Sequence, residues 1–376
     1  MRVTQVSHVY HPSFGGIENY VHRLNTSLRA DGHDARTVTT DASLSPDSPV
    51  APDPHAVYCK TTFSVVRNPF SVELFTRLRA DHSDVYHLHS PWFFPSLEAV
   101  AALPKDAPVV MTIHGVHTPT TTPLSKALWV GYRPVAQWIL DRVDRVILLG
   151  AAERRRLTDR FRVRPEQVAI VPNGIQPEAY DVPDETVAAF RERYGIDPET
   201  PTLLFVGRLV DVKRPELLID AVTDHLPDED LQVLVVGKGD PEYVGSLVAR
   251  ADARVRFLSN LEFDELKAAY HASDVFFSLG TSEGLSTVLL EAMNARLPVV
   301  TTPAGANADV VGDPENGRVL PMDASTADVA GAIRSILTDE DERRAMGERN
   351  RELVRSEYAW DRVYEGIREV YEDVTK

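Results

Sequence analysis

The chain has little cysteine and no long hydrophobic run. Among its 376 residues only Cys59 is a cysteine, so an internal disulfide and a zinc site built from CxxC pairs are excluded. No run approaches 18 consecutive apolar residues, and no signal-peptide pattern follows Met1. These absences predict a cytoplasmic protein without redox chemistry.

Lysine is also scarce, and positive charge is outweighed by negative charge. Of the 40 basic residues only seven are lysine, against 56 acidic residues, and the formal net charge is −16. A lysine-poor, acidic surface suggests a halophilic protein. The charge is uneven, because residues 1–180 carry +2 and residues 181–376 carry −18. The acidic half is expected to avoid anionic partners such as nucleic acid, unless acidity simply drifts along the chain.

Apolar runs alternate with amphipathic stretches, and the length of the chain predicts two domains. Strands are predicted at 3–6, 85–88, 109–113, 146–149 and 168–171, then at 203–206, 233–236, 255–258, 275–277 and 299–301. A polar stretch with several prolines, from Pro172 to Pro201, separates the two series. The pattern predicts the α/β class, with two Rossmann-like doubly wound domains.

The dinucleotide-binding pattern GxGxxG is missing from the first strand exit, which carries Gly15 and Gly16 instead. A predicted helix over 17–30 follows them. Backbone amides of neighbouring glycines at a helix N-terminus can approach an anion, although two glycines also form plain turns.

Two cations follow the first strand of the second series, Arg208 directly and Lys213 five residues later. Arginine offers a planar fork to phosphate oxygens and lysine a compact point charge. Together they suit a diphosphate whose charge grows as it departs. The alternative is two solvated cations on an acidic surface.

Two glutamates separated by seven residues follow the strand predicted at 275–277. Glu283 lies in a loop, whereas Glu291 lies within an apolar helical run. A buried acid needs polar partners, such as sugar hydroxyls. Ser286 and Thr287 are expected to cap the helix, so that its free amides face a phosphate.

The order of several short motifs resembles that of the retaining family 4 glycosyltransferases, which have the GT-B fold. The similarity spans nearly the whole chain, and its motifs are Gly15-Gly16, Thr112-Ile113-His114-Gly115, Pro172-Asn173-Gly174-Ile175, Gly207-Arg208-Leu209 with Lys213, Val236-Gly237-Lys238-Gly239-Asp240, and Glu283 with Glu291. The resemblance implies an acceptor-side domain over 1–178, a nucleotide-sugar domain over 179–357, and a helix over 358–376 that returns to the first domain. The two Rossmann-like domains are then expected to face a central cleft.

The resemblance also implies roles for single residues. Arg208 and Lys213 would bind the donor diphosphate, with help from the amides of Gly15 and Gly16. Glu291 would hold the ribose hydroxyls. Glu283 and the Gly284-Leu285-Ser286 backbone would contact the donor sugar, with Glu283 either positioning it or stabilising the transition state. His114 would face the reacting sugar, whereas His87 and His89 are treated as structural.

The donor expected from the resemblance is a UDP- or GDP-sugar, used as a substrate without any cofactor. Metal is not expected, because the closely spaced acids at 228–230 and 339–341 lie in polar stretches far from the motifs. The acceptor is expected to be a glycan or a lipid-linked hydroxyl. The alternatives are an epimerase or hydrolase acting on nucleotide sugars, and a nucleotide-sugar-binding protein without catalysis.

Aromatic and basic residues alternate in the second half of the first domain, at Trp129, Tyr132, Arg133, Trp138, Arg142, Arg145, Arg154-Arg155-Arg156, Arg160, Arg162 and Arg164. Such a mixture suits a membrane interface. We therefore expect peripheral contact with the inner face of the membrane through this domain. Core tryptophans beside a solvated arginine face are the alternative.

Overall fold

The computed structural model of the chain describes residues 1–13, 15–44, 51–66, 68–116 and 123–376, without the side chains of 123–128. These residues form two compact units. The first comprises Met1–Pro172 with Tyr364–Lys376, and the second comprises Asn173–Val363. From the sequence, boundaries are predicted at 178 and 357.

The first unit is built on a parallel sheet. Its strands are β1 (Arg2–Val6), β2 (Asp34–Thr40), β3 (Ala56–Cys59), β4 (Phe63–Val65), β5 (Asn68–Phe70), β6 (Val85–His89), β7 (Val109–Ile113), β8 (Arg145–Leu148) and β9 (Val168–Ile170). Seven of these described strands pair in the order β3-β2-β1-β6-β7-β8-β9, and β4 and β5 form a separate antiparallel pair. The helices are α1 (Gly16–Ala30), α2 (Val72–Arg79), α3 (Phe94–Ala102), α4 (Pro123–Leu140) and α5 (Ala151–Thr158).

The second unit repeats this architecture with a six-stranded parallel sheet in the order β12-β11-β10-β13-β14-β15. Its strands are β10 (Thr202–Val206), β11 (Gln232–Val236), β12 (Val255–Leu258), β13 (Val275–Ser278), β14 (Val299–Thr301) and β15 (Gly317–Val319). Its helices are α6 (Asp184–Tyr194), α7 (Pro215–His225), α8 (Pro241–Val248), α9 (Phe263–His271), α10 (Thr287–Asn294), α11 (Asn307–Val310), α12 (Thr326–Leu337) and α13 (Glu340–Glu357), and the last helix of the chain, α14, spans Trp360–Thr375.

Each sheet is covered by helices on both faces, which explains why some of its strands are buried at every position. Val109–Ile113 and Gln232–Val236 are buried at every position. The expectation of an α/β chain with two doubly wound domains is confirmed. Among the described residues, no helix combines the length and the apolar character needed to cross a membrane.

The sequence pattern missed β2, β3, β4, β5 and β15. The last four of the seven residues of β2 are all buried, namely Thr37, Val38, Thr39 and Thr40. The Thr37 hydroxyl accepts a hydrogen bond from Asn25 Nδ2 at 2.7 Å, so burial is compensated by hydrogen bonding. A buried strand of threonines has no apolar run to detect, and β15 has only three residues.

Candidate active site

The exits of β10 and β11 lie side by side in the second unit, and Arg208 belongs to the first of them. The amide of Leu209 donates to the carbonyl of Lys238 at 2.7 Å. A side chain at Gly237 would overlap the carbonyl oxygen of Gly207, so the two backbones approach closely. The Arg208 side chain is exposed at this junction. It therefore has the access to solvent that an anion-binding arginine requires.

Lys213 and Glu283, the two charged residues predicted from separate motifs, are in contact. Lys213 Nζ donates to Glu283 Oε1 across 70 residues of sequence. The lysine side chain is 20% exposed and the glutamate 11% exposed. The contact is maintained by the backbone, because the amide of Thr281 donates to the carbonyl of Val212 at 2.8 Å. The structure thus brings together a predicted phosphate ligand and a predicted sugar ligand.

Arg214 holds this loop pair together, a role that sequence analysis missed. Its backbone is left-handed, with φ of 51°. Its Nε donates to the carbonyl of Leu279 at 2.7 Å, and its Nη1 donates to the carbonyl of Met322 at 2.9 Å. Burial lowers the pKa of Arg214, although the carboxylate of Glu216 opposes that effect. Its position beside Lys213 is the only sequence signal that could have identified it.

The backbone of Gly284 and Leu285 is fixed from two sides. A side chain at Gly305, where φ is 58°, would overlap the Gly284 carbonyl, so only glycine fits there without strain. Asn173 Nδ2 donates to the carbonyl of Leu285 at 2.7 Å. Asn173 belongs to the Pro-Asn-Gly-Ile motif, and this contact gives that motif a structural role in the second unit.

Ser286 is the N-cap residue of α10, but the expected capping by its side chain is wrong. The Ser286 side chain makes no capping hydrogen bond. Its backbone amide instead donates to Asn307 Oδ1 at 3.3 Å, and Asn307 Nδ2 donates to Thr301 Oγ1 at 3.2 Å. The side chain of Asn307 from α11 thus binds the amide of the N-cap residue itself, whereas a hydroxyl cap would accept from an amide of the first helical turn.

Glu291 is buried, at 8% exposure, and both carboxylate oxygens accept hydrogen bonds from tyrosines. Tyr180 donates to Oε1 at 2.9 Å and Tyr270 donates to Oε2 at 2.7 Å. Burial, and to a lesser degree the negative charge of Glu291, raises the pKa of Tyr270 well above its usual range. The polar partners that a buried acid needs are therefore present within the protein. Ribose binding by Glu291 stays a prediction.

The glycines of the first unit lie at the start of α1. Gly15 is its N-cap residue and Gly16 its first residue. The carboxylate of Glu18 lies against Gly15, so closely that a side chain at Gly15 would overlap it. An anion binding to these amides would therefore meet a negative charge in the first turn. A role of Gly15 and Gly16 in diphosphate binding stays a prediction.

His114 follows β7 in the first unit and is held by neighbouring side chains. Its Nε2 lies 3.0 Å from His89 Nδ1, and its backbone amide donates to Ser90 Oγ at 3.2 Å. The ring of Tyr20 meets the imidazole edge-on at 4.9 Å. His89, which sequence analysis treats as structural, is thus a direct partner of the predicted sugar-facing histidine.

The aromatic and basic residues of the first unit divide into packed and exposed groups. Trp129 packs edge-on against Trp92 at 4.8 Å, and Tyr132 donates to the carbonyl of Pro91 at 3.1 Å. Trp138 is 43% exposed. An open depression of about 390 Å³ is lined by Arg133, Pro134, Gln137, Thr158, Asp159, Arg160, Phe161 and Arg162. Part of the predicted interface is therefore core, and part is a basic surface.

In the part of the chain that the structure describes, no three histidine, cysteine, aspartate or glutamate side chains are grouped to hold a metal ion. The expectation of metal-independent chemistry stays a prediction that an assay must decide.

Known proteins match both halves of the chain. A family model described as "Glycosyl transferases group 1" matches residues 187–353, and one described as "Glycosyltransferase Family 4" matches residues 14–179. The chain is 30% identical over 337 residues to a D-inositol 3-phosphate glycosyltransferase of Geodermatophilus obscurus, covering 84% of this chain and 71% of that protein. It is 29% identical to a phosphatidyl-myo-inositol mannosyltransferase of Mycobacterium leprae, covering 96% and 93% of the two chains.

Solved structures with the same fold cover the chain almost completely. The sucrose-phosphate synthase of Thermosynechococcus elongatus superposes with a TM-score of 0.78 at 21% identity, over 99% of this chain and 98% of that one. HepE of Anabaena in complex with UDP superposes with a TM-score of 0.80 at 17% identity, over 99% and 100% of the two chains. With the family matches, these likenesses show that the chain belongs to the group 1, family 4 glycosyltransferases of GT-B fold and is a glycosyltransferase.

Proposed function

We propose that the enzyme moves a sugar from a nucleotide-diphosphate sugar, UDP- or GDP-linked, to a hydroxyl acceptor with retention of configuration and without a metal or cofactor. The observation that carries the proposal is the contact of Lys213 with Glu283, beside the loop that holds Gly284 and Leu285. The contact supports the proposal because Lys213, which we propose binds phosphate, and Glu283, which we propose binds the sugar, are neighbours in the second unit. HepE, which has the same fold, was solved with UDP, which supports this type of donor.

In the proposed reaction, the bond from the anomeric carbon to the donor phosphate breaks, and the acceptor oxygen bonds to the same face of that carbon. The acceptor proton passes to the departing phosphate oxygen. Negative charge grows on the diphosphate, and Arg208 and Lys213 offset it. A single well-placed donor of this kind contributes about 3 to 4 kcal/mol to transition-state stabilisation.

A donor screen tests the proposal directly. Thermal unfolding is measured with UDP-, GDP- and ADP-sugars, because a ligand that binds only the folded state raises the midpoint. The stabilising donor is then incubated with acceptors, and the anomeric configuration of the product is read by NMR. Inversion would refute retention. Free sugar and nucleotide without a glycosylated product would indicate a hydrolase, and stabilisation without turnover would indicate a binding protein.

For the acceptor, we propose a hydroxyl of a phosphorylated polyol or of its lipid-linked form. Two relatives are named for inositol 3-phosphate and phosphatidyl-myo-inositol, which share a phosphorylated inositol. The first unit is the less acidic part of this chain and carries the depression with Arg133, Arg160 and Arg162. Arginine suits phosphate recognition because its fork makes paired hydrogen bonds.

We propose contact with the inner face of the membrane through α4, which carries Arg133 of the depression and the exposed Val130 and Trp138, at 64% and 43% exposure. Co-sedimentation is measured with vesicles of phosphatidylinositol and of phosphatidylcholine at the working salt concentration. Arg133→Glu should weaken binding to the anionic vesicles, and Arg344→Glu, which reverses a charge on α13, serves as its control. Equal binding by both variants would refute this surface.

A further inference from the structure

A continuous hydrogen-bonded chain of side chains runs beneath His114 in the first unit. His89 Nε2 lies 2.9 Å from Gln5 Oε1, and Gln5 Nε2 donates to the Tyr371 hydroxyl at 3.2 Å. The Tyr371 hydroxyl lies 2.6 Å from His87 Nδ1. Strand pairing explains the arrangement, because Gln5 of β1 is in register with His87 of β6. The residues at 87 and 89 share one face of that strand.

The direction of every bond in this chain follows from Gln5. Its Oε1 can only accept, so His89 Nε2 carries the proton and His89 Nδ1 carries the lone pair. His114 Nε2 must then donate to His89 Nδ1, across 3.0 Å. At the other end, Gln5 donates to Tyr371, whose hydroxyl proton then points to His87 Nδ1.

The remaining nitrogen of His87 completes the chain without conflict. His87 Nε2 lies 2.8 Å from Thr112 Oγ1 and donates to it. Burial lowers the pKa of His87 to about 3 and that of His89 well below its usual value. Both rings are therefore neutral at physiological pH, which is the state in which one nitrogen donates and the other accepts.

We propose that His89 is a positioning residue, which holds the ring of His114 in one orientation and as the tautomer protonated at Nε2, with Gln5 and Tyr371 setting the direction of the bond. Nδ1 is then the acceptor nitrogen of His114. The inference rests on the proposed function, in which His114 faces the reacting sugar. A ring of fixed tautomer accepts a hydrogen bond from a sugar hydroxyl, whereas a ring of mixed tautomers does so for part of the time.

The tautomer is measured in the 376-residue chain by long-range ¹H–¹⁵N correlation on labelled histidine. The His114 signal is identified among the 12 histidines by its loss in His114→Gln. We expect the proton on Nε2 in the wild type. A proton on Nδ1 of His114 would overturn the proposal, because the whole chain would then run in the opposite direction.

Two substitutions of His89 separate positioning from packing. His89→Leu removes the acceptor, and kcat for sugar transfer should fall by roughly 10-fold or more, with the donor KM within about twofold. The scale is that of the partners that orient metal-bound histidines, which are worth about 10- to 100-fold. His89→Asn keeps an acceptor oxygen near the place of Nδ1 and should restore most of kcat and the Nε2 tautomer. Equal losses in both variants with an unchanged tautomer would overturn the proposal.

Tyr371→Phe provides a second test if His89→Leu does not fold. It removes the hydroxyl that Gln5 Nε2 and His87 Nδ1 share, so the His114 signal should show both tautomers. Tyr86→Phe is the matched control, because the Tyr86 hydroxyl accepts a hydrogen bond from the Ser83 amide, outside the chain. A single Nε2 tautomer in Tyr371→Phe would refute the role of Tyr371.

The proposed role of His114 itself is tested independently. If His114→Ala leaves sugar transfer unchanged, the proposed function loses this residue, and His89 has no catalytic effect to support. If His114→Ala lowers kcat while His89→Leu alters neither kcat nor the tautomer, the positioning role of His89 is refuted and the proposed function stands.

Discussion

Glu283→Gln removes the negative charge that faces Lys213 while keeping the size of the side chain. We expect nucleoside diphosphates to bind more tightly and sugar transfer to fall. In the free enzyme the ammonium of Lys213 is paired with Glu283. A diphosphate must draw that lysine away from the carboxylate, and it must also approach the carboxylate itself. Glutamine removes both costs, but it also removes a carboxylate predicted to contact the donor sugar.

The size of the effect follows from the burial of the pair. Two unit charges about 4 Å apart attract by about 4 kcal/mol at an effective dielectric constant near 20, which is an upper bound. The side chains are 20% and 11% exposed, so desolvation and screening reduce the net value to about 1 to 2 kcal/mol. The dissociation constant of UDP or GDP should therefore fall by roughly 5- to 30-fold.

Isothermal titration calorimetry at fixed ionic strength measures this change. Glu348→Gln is the control, because Glu348 pairs with Arg296 on the surface of the same unit and its removal changes the net charge equally. Unchanged or weaker diphosphate binding by Glu283→Gln would refute the competition between Glu283 and the diphosphate for Lys213.

Three further predictions concern turnover, burial and pH. Arg208→Ala should lower the rate of sugar transfer on the order of 10²-fold. The unfolding midpoint should not fall, because the Arg208 side chain is exposed. Full activity of the variant in a coupled assay would show that Arg208 is not part of the site. Tyr270→Phe should lower the free energy of unfolding by about 1.5 to 3 kcal/mol in urea, because buried Glu291 loses a donor; an unchanged midpoint would contradict this. Burial lowers the pKa of His8 to about 4, so the unfolded chain binds more protons below pH 6.5 and stability falls as pH decreases. Between pH 6.5 and 5, urea titrations should show that the free energy of unfolding of the wild type falls by up to about 1.4 kcal/mol per pH unit more than that of His8→Phe. Equal pH dependence in the two proteins would refute this effect of His8.

The sequence by itself determined the apolar strands that are buried on both faces, because a continuous apolar run records burial directly. The runs at 109–113 and 233–236 correspond to β7 and β11. Strand β2 escaped detection because it has no continuous apolar run: its buried Thr37, Thr39 and Thr40 hydroxyls make hydrogen bonds to groups outside the strand. The motifs also identified Arg208, Lys213, Glu283 and Glu291 as candidates, since each of them lies in a short local pattern.

Only the tertiary structure decided which of these residues meet. Lys213 and Glu283 are 70 residues apart, and Glu291 and Tyr180 are 111 apart. Local periodicity reports which face of an element is buried, but the strand order of the sheet determines which loops become neighbours. For the same reason His89 reads as a structural residue in the sequence, and only the pairing of strands shows that it lies beside His114.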